Sequence, residues 1–172
     1  MFNGCSELQD FSGTIFRDSI NVTINNESCF YGMFTNCKKL SKLDIPFYNL
    51  KFAASCSRFC DSMFYNCSKL SSCTLPKFTN GVKDMKYFNF TFLNCTNLKK
   101  VSAYFTNWPP SAGNYSNMAS EVIGTDTDGN PIYSPFKATL YLLSSSTYPA
   151  AKIADKPSDF LNGWTILSTK VL

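Results

Sequence analysis

Four stretches of this chain read almost alike: MFNGCSEL at Met1–Leu8, MFTNCKKL at Met33–Leu40, MFYNCSKL at Met63–Leu70 and TFLNCTNL at Thr91–Leu98. Their cysteines, Cys5, Cys37, Cys67 and Cys95, are separated by steps of 32, 30 and 28 residues. A period of that size marks units that cannot each bury an apolar face alone and must stack on their neighbours, which is the pattern of a solenoid. Chains of this kind are usually binding surfaces and not catalysts.

After each cysteine, apolar residues fall two apart: Phe11 with Gly13, Leu43 with Ile45, Cys73 with Leu75, and Val101 with Ala103. Period-two alternation over a short run predicts a strand with one buried face. The strands are expected near Gln9–Gly13, Ser41–Ile45, Ser71–Leu75 and Lys99–Ala103, side by side in a parallel ladder. Before each Met-Phe the spacing changes to three and four residues, as in Val82, Met85, Phe88 and Phe92. That stripe predicts short amphipathic helices near Ala53–Tyr65 and Val82–Asn94, with a weaker one near Ser28–Asn36. Asn36, Asn66 and Asn94 suit tight turns before the cysteines, because a short amide side chain tolerates left-handed backbone and can satisfy backbone donors.

These units resemble the BspA-like leucine-rich repeats, the MFxxCxxLxxLxL variety of bacterial surface proteins. The resemblance runs over about Met1–Trp108, and the fourth unit departs from it with Thr91 for Met and Val101 for Leu. It implies an α/β leucine-rich-repeat solenoid, a parallel strand ladder backed by short helices with a C-terminal cap. It also implies a cell-surface or secreted setting and a part in adhesion.

Two adjacent prolines, Pro109 and Pro110, end the repeats, since neither a helix nor a central strand continues through them. Residues 1–108 are therefore expected as four repeats with the first incomplete, 109–137 as an irregular loop excursion, and 138–172 as a capping segment. Ala138–Leu142 alternates as a strand, Tyr148–Ala154 reads as a short helix and Trp164–Leu167 as a last strand. This order is similar to the segment that ends many bacterial repeats of the same family. The chain opens inside a repeat, and its first residues do not read as a signal segment. The expectation is either the C-terminal part of a longer protein or an open first repeat that docks on a partner or on itself.

Composition narrows the function classes. At 172 residues the chain is long enough for one core without staples. A net charge of +4 without a long basic run leaves no nucleic-acid footprint, and no apolar stretch is long enough to span a bilayer. The eight cysteines lack the paired spacings of a disulfide scaffold. They read as small buried hydrophobes stacked from repeat to repeat.

Sites of chemistry are sparse. Cys56 and Cys60, with Cys67 beyond, form a weak metal pattern in a chain without histidine, and a core pair is the better account. Asp126–Asn130 (DTDGN) begins like a calcium loop, but the twelfth position from Asp126 is Lys137 where a glutamate is needed. An Asp-Gly turn joining two short strands fits it better. A serine or cysteine nucleophile needs a base, most often histidine, and Glu7, Glu27 and Glu121 lie scattered. No cofactor and no enzymatic activity are expected. Of six Asn-x-Ser/Thr sequons, those at Asn66 and Asn94 arise from the repeat wording itself.

What remains is the outward face of the strand ladder. Lys42, Asp44, Ser72, Thr74, Lys100, Ser102 and Tyr104 alternate with the core positions and are the candidate binding residues, a rigid surface of the sort on which solenoids bind. The expected function is a non-catalytic binding or adhesion module of a bacterial cell-surface or secreted protein, with a protein or glycan partner. A phage virion fibre or host-recognition component using the same repeat is the alternative, and it would self-associate through the open first repeat.

Overall fold

The computed structural model describes residues 1–11, 23–24, 28, 30–43, 51–52, 58, 60–75, 88–103, 118–143 and 164–169. Within them the strands, in chain order, are β1 (Asp10–Phe11), β2 (Thr23–Ile24), β3 (Lys42–Leu43), β4 (Lys51–Phe52), β5 (Ser72–Leu75), β6 (Lys100–Ala103), β7 (Ser120–Thr125), β8 (Pro131–Pro135), β9 (Thr139–Leu143) and β10 (Thr165–Thr169). One parallel sheet runs in the order β1-β3-β5-β6-β9-β10, with β2 beside β4 as a short second pair. The alternating apolar residues set the register: Phe11 faces Leu43, Leu43 faces Cys73, Cys73 faces Val101 and Val101 faces Leu140. A parallel pairing of successive repeats keeps each apolar column on one face, since a slip of one residue would turn every column outward.

The corner before each cysteine is built differently from the helix that the three- and four-residue spacing predicts. Phe30–Asn36, Cys60–Asn66 and Phe88–Asn94 are turns, and no helix occurs among the described residues. The rest of the expected helices, including Ala53–Ser57, Val82–Tyr87 and Tyr148–Ala154, lies outside them. Backbone hydrogen bonds give the reason. Met33, Thr35 and Cys37 donate to the carbonyl three residues earlier, at Phe30, Gly32 and Phe34. The residues between them donate across to the next repeat: Gly32 to Asp61, Phe34 to Met63 and Asn36 to Tyr65, at 2.8–3.1 Å. Ser62, Phe64 and Asn66 donate to Asn89, Thr91 and Leu93 in the same way. Alternate amides thus serve stacking, which a helix would consume internally. Each corner needs a left-handed residue twice, at Gly32 and Asn36 (φ 57° and 62°), at Ser62 and Asn66 (56° and 61°) and at Phe90 and Asn94 (53° and 62°).

Three side-chain columns run through the stack. Phe2, Phe34, Phe64 and Phe92 stack with ring centroids 5.3, 5.7 and 5.5 Å apart and interplanar angles of 10°, 6° and 3°. Phe34, Phe64 and Phe92 are fully buried, each contributing about 1.5–3 kcal/mol of apolar burial. Asn66 Nδ2 donates to Asn36 Oδ1 at 3.0 Å, Asn94 Nδ2 donates to Asn66 Oδ1 at 2.8 Å, and the Val122 N–H donates to Asn94 Oδ1 at 2.8 Å. The cysteine thiols form the third column: Cys37, Cys67 and Cys95 donate to the carbonyls of Phe2, Phe34 and Phe64 one repeat back, at 3.0–3.1 Å. Three of the four recurrent cysteines, Cys37, Cys67 and Cys95, are thus hydrogen-bonded core residues, while Cys5 of the first repeat is exposed.

That column makes stability sensitive to alkali. Burial first, then the neighbouring thiol Cys5, pushes the Cys37 thiol up to about 11. Burial and then Cys37 push Cys67 up to about 12. Cys73 and Cys95 are raised by burial first and by Cys67 next. Below the thiol pKa of an unfolded chain, about 8.5, both states hold their protons and pH has no effect through these groups. Above it the unfolded chain sheds protons that the folded chain keeps, so stability falls as pH rises toward the folded values. In reducing buffer, the urea midpoint is expected to be level to about pH 8 and to decline steadily from about pH 9 upward. Cys67→Ala should flatten that decline while lowering the plateau.

Beyond the fourth repeat, the path is continued by Met118–Ser120 and by Phe136–Leu143. Phe92 and Asn94 donate to the carbonyls of Met118 and Ser120, both at 2.8 Å, and Phe136 donates back to Ala119 at 3.2 Å. Between Ser120 and Phe136, inside the stretch expected as an irregular excursion, β7 and β8 form an antiparallel hairpin with a register shift between Val122 and Gly124. Its turn is the expected Asp-Gly one. Asp126 Oδ1 accepts from the N–H groups of Asp128 (2.9 Å) and Asn130 (2.8 Å), and Gly129 takes φ 82°. Trp164 Nε1 donates to the Phe136 carbonyl at 2.7 Å and leads into β10 on the edge of β9.

Candidate functional site

The strand register fixes where the outward-facing side chains stand. Lys42 of β3, Ser72 of β5, Lys100 of β6 and Thr139 of β9 form one row across the sheet. Thr74, Ser102 and Tyr141 form the next. Of the candidates read from the sequence, Lys42, Ser72, Thr74, Lys100 and Ser102 come together around one depression of about 230 Å³. Asp44 and Tyr104 lie outside the described residues.

Lys42 and Lys100 are exposed, Ser72 and Thr74 are half-buried, and Ser102 is buried at 8% exposure. Ser102 sits between Thr74 and Tyr141 in its row, so its larger neighbours take the solvent and leave it at the floor. Asp10, opposite Lys42 in register, accepts a hydrogen bond from the Ser41 hydroxyl at 2.7 Å. The face thus combines two cations with a hydroxyl-lined floor.

Tyr141 belongs to this face and was not among the candidates. The Lys100 ammonium lies 4.7 Å from its ring centroid, a cation–π contact worth about 0.5–1 kcal/mol at an exposed site. The contact holds the Lys100 side chain over the sheet. The signal for Tyr141 was present in the alternation of Ala138–Leu142, but its row neighbour Ser102 is 39 residues away, so only strand pairing joins them.

The other suggestions from the sequence fall apart spatially or are occupied. Cys60 and Cys67 are both core residues, and Cys56 lies outside the described residues. Among the described residues no three His, Cys, Asp or Glu side chains are grouped to hold a metal ion. The Asp126 carboxylate is engaged by its own turn. The Asn130 N–H, and next the Asn130 side-chain amide, hold it below the usual carboxylate range. The sequon asparagines Asn66 and Asn94 are bound into the amide column. No described helix is long and apolar enough to cross a membrane.

No family model, no curated protein and no solved structure matches this chain.

Proposed function

We propose that the chain is a non-catalytic binding module of leucine-rich-repeat type, a solenoid of a bacterial cell-surface or secreted protein that presents a rigid face to a protein or glycan partner. The observation that carries this reading is the register of the rows across β3, β5, β6 and β9, which gathers Lys42, Ser72, Thr74, Lys100, Ser102 and Tyr141 on one face. The phenylalanine and asparagine columns beneath them support rigidity, because each repeat is bonded to the next through side chains as well as backbone. A surface ordered before contact loses little conformational entropy on binding. Lys100 against Tyr141 adds the cation and aromatic types in which interface energy concentrates.

The test is adherence of beads coated with the chain to epithelial cells and to bacterial cells. Beads carrying the chain are expected to adhere above bare beads to one of the two. The pair Lys42→Glu with Lys100→Glu should abolish the difference while leaving the melting temperature within a few degrees, since exposed substitutions usually change stability by less than about 0.5 kcal/mol. Equal adherence of coated and bare beads to both cell types would rule the reading out.

A further inference from the structure

We propose that a second surface, along the corners of the repeats and away from the lysine face, binds an uncharged, extended oligosaccharide. A groove of about 410 Å³ runs along the stack there. It takes Asn3 from the first repeat, Tyr31 and Thr35 from the second, Tyr65 from the third, Phe90 from the fourth and Tyr133 from the hairpin. The proposal rests on the binding-module reading and gives it a ligand class and a separate site.

The chemistry of the lining selects the ligand. Aromatic rings offer flat apolar faces to the C–H face of a sugar ring, and tyrosine adds a polar tip for its hydroxyls. Asn3 supplies an amide with both donor and acceptor. The Thr35 hydroxyl is fixed by donation to the Ser62 carbonyl at 2.7 Å, which leaves its oxygen as an acceptor. Among the described residues no charged side chain lines the groove, so an anionic or cationic ligand finds no counter-charge and a neutral one incurs no such loss.

The course of the groove selects the shape. It crosses successive repeats, with Asn3, Thr35, Tyr65 and Leu93 at one repeat position and Gly32, Ser62 and Phe90 at another. Only an extended ligand lying across the stack meets all of them.

Phe90 supplies an independent observation. At its corner position the two preceding repeats use Gly32 and Ser62, yet Phe90 holds φ 53°. A bulky side chain at positive φ is a conformational outlier, and such strain concentrates at ligand clamps and active sites. Nothing in the corner's own hydrogen bonding requires an aromatic ring there, since Gly32 makes the equivalent turn. The ring adds an apolar wall to the groove.

Calorimetric titration of the full chain with a β-1,4-linked glucose tetrasaccharide and with a β-1,4-linked N-acetylglucosamine tetrasaccharide tests this. Saturable binding of at least one is expected, with Kd between about 10 μM and 1 mM. Tyr31→Ala, Tyr133→Ala and Phe90→Asn should each weaken it by about tenfold. Asparagine tolerates the left-handed backbone, so Phe90→Asn should lose affinity without a lower melting temperature. The lysine-face pair should bind both sugars as the parent does. Absence of saturable binding to both sugars, or unchanged affinity in the tyrosine and Phe90 variants, would overturn the proposal. If the sugars fail while the lysine-face pair still abolishes bead adherence, the groove proposal falls and the binding-module reading stands.

Discussion

Replacing Phe64 with alanine is expected to cost the fold about 3–5 kcal/mol, the range for emptying a large aromatic site in a core. Phe64 is fully buried and stacked on both sides, 5.7 Å from Phe34 and 5.5 Å from Phe92. Its removal leaves a gap between two parallel rings that the backbone hydrogen bonds from Phe34 to Met63 and from Phe64 to Thr91 hold apart. The neighbours are thus poorly placed to collapse into the space. A domain of this size is stable by about 5–15 kcal/mol in all, so the variant should lose a large share of its urea midpoint. Phe2→Ala is the control. Phe2 stacks on Phe34 and tilts against Phe11 but is only partly buried, and its loss should cost about 1 kcal/mol. Equal losses for the two variants would mean that the ring column is not a continuous core.

The second large effect is expected at Asn66. Its side chain donates to Asn36, accepts from Asn94, and its own backbone sits at φ 61°. Asn66→Ala removes both amide bonds and asks an alanine to hold left-handed geometry, together about 2–3 kcal/mol. Asn66→Gly removes the same two bonds but relieves the backbone, so it should cost roughly 1 kcal/mol less than alanine. Urea denaturation of the three proteins separates the two contributions. If glycine costs as much as alanine, the left-handed corner is not what asparagine provides there.

The strand ladder was legible in the sequence because two constraints agreed. Period-two alternation put apolar residues at Leu43, Cys73 and Val101, and the fixed distance from each cysteine aligned them. The strands found at Lys42–Leu43, Ser72–Leu75 and Lys100–Ala103 lie within the spans expected. The asparagine corners were legible for the same reason, since one residue type tolerant of left-handed backbone preceded three of the cysteines. Over 30–36, 60–65 and 88–94 the helical reading fails because turns with left-handed residues four apart also repeat apolar positions at helical intervals. The distinguishing signal lay in the pairs Gly32 and Asn36, Ser62 and Asn66, left-handed positions four apart, which a helix would not accept.

The candidate site was legible only in part. Lys42, Ser72 and Lys100 share a sequence position within their repeats, so alignment alone joins them. Tyr141 reaches the same face through the pairing of β6 with β9, across the hairpin, and no local pattern marks that pairing. The groove at the corners depends on residues from different repeats and from the hairpin, which only the cross-repeat hydrogen bonds bring together.

All of these expectations depend on repeats bonded to one another at their corners, so that side chains stand in fixed rows. Through-hydrogen-bond scalar coupling in the deuterated, nitrogen- and carbon-labelled chain tests this most directly. A coupling is expected from the Phe64 amide nitrogen to the Thr91 carbonyl carbon, and likewise from Phe34 to Met63. A coupling from Phe64 to the Cys60 carbonyl instead, the bond of an α-helix, would contradict it and remove the fixed rows on which the binding reading stands.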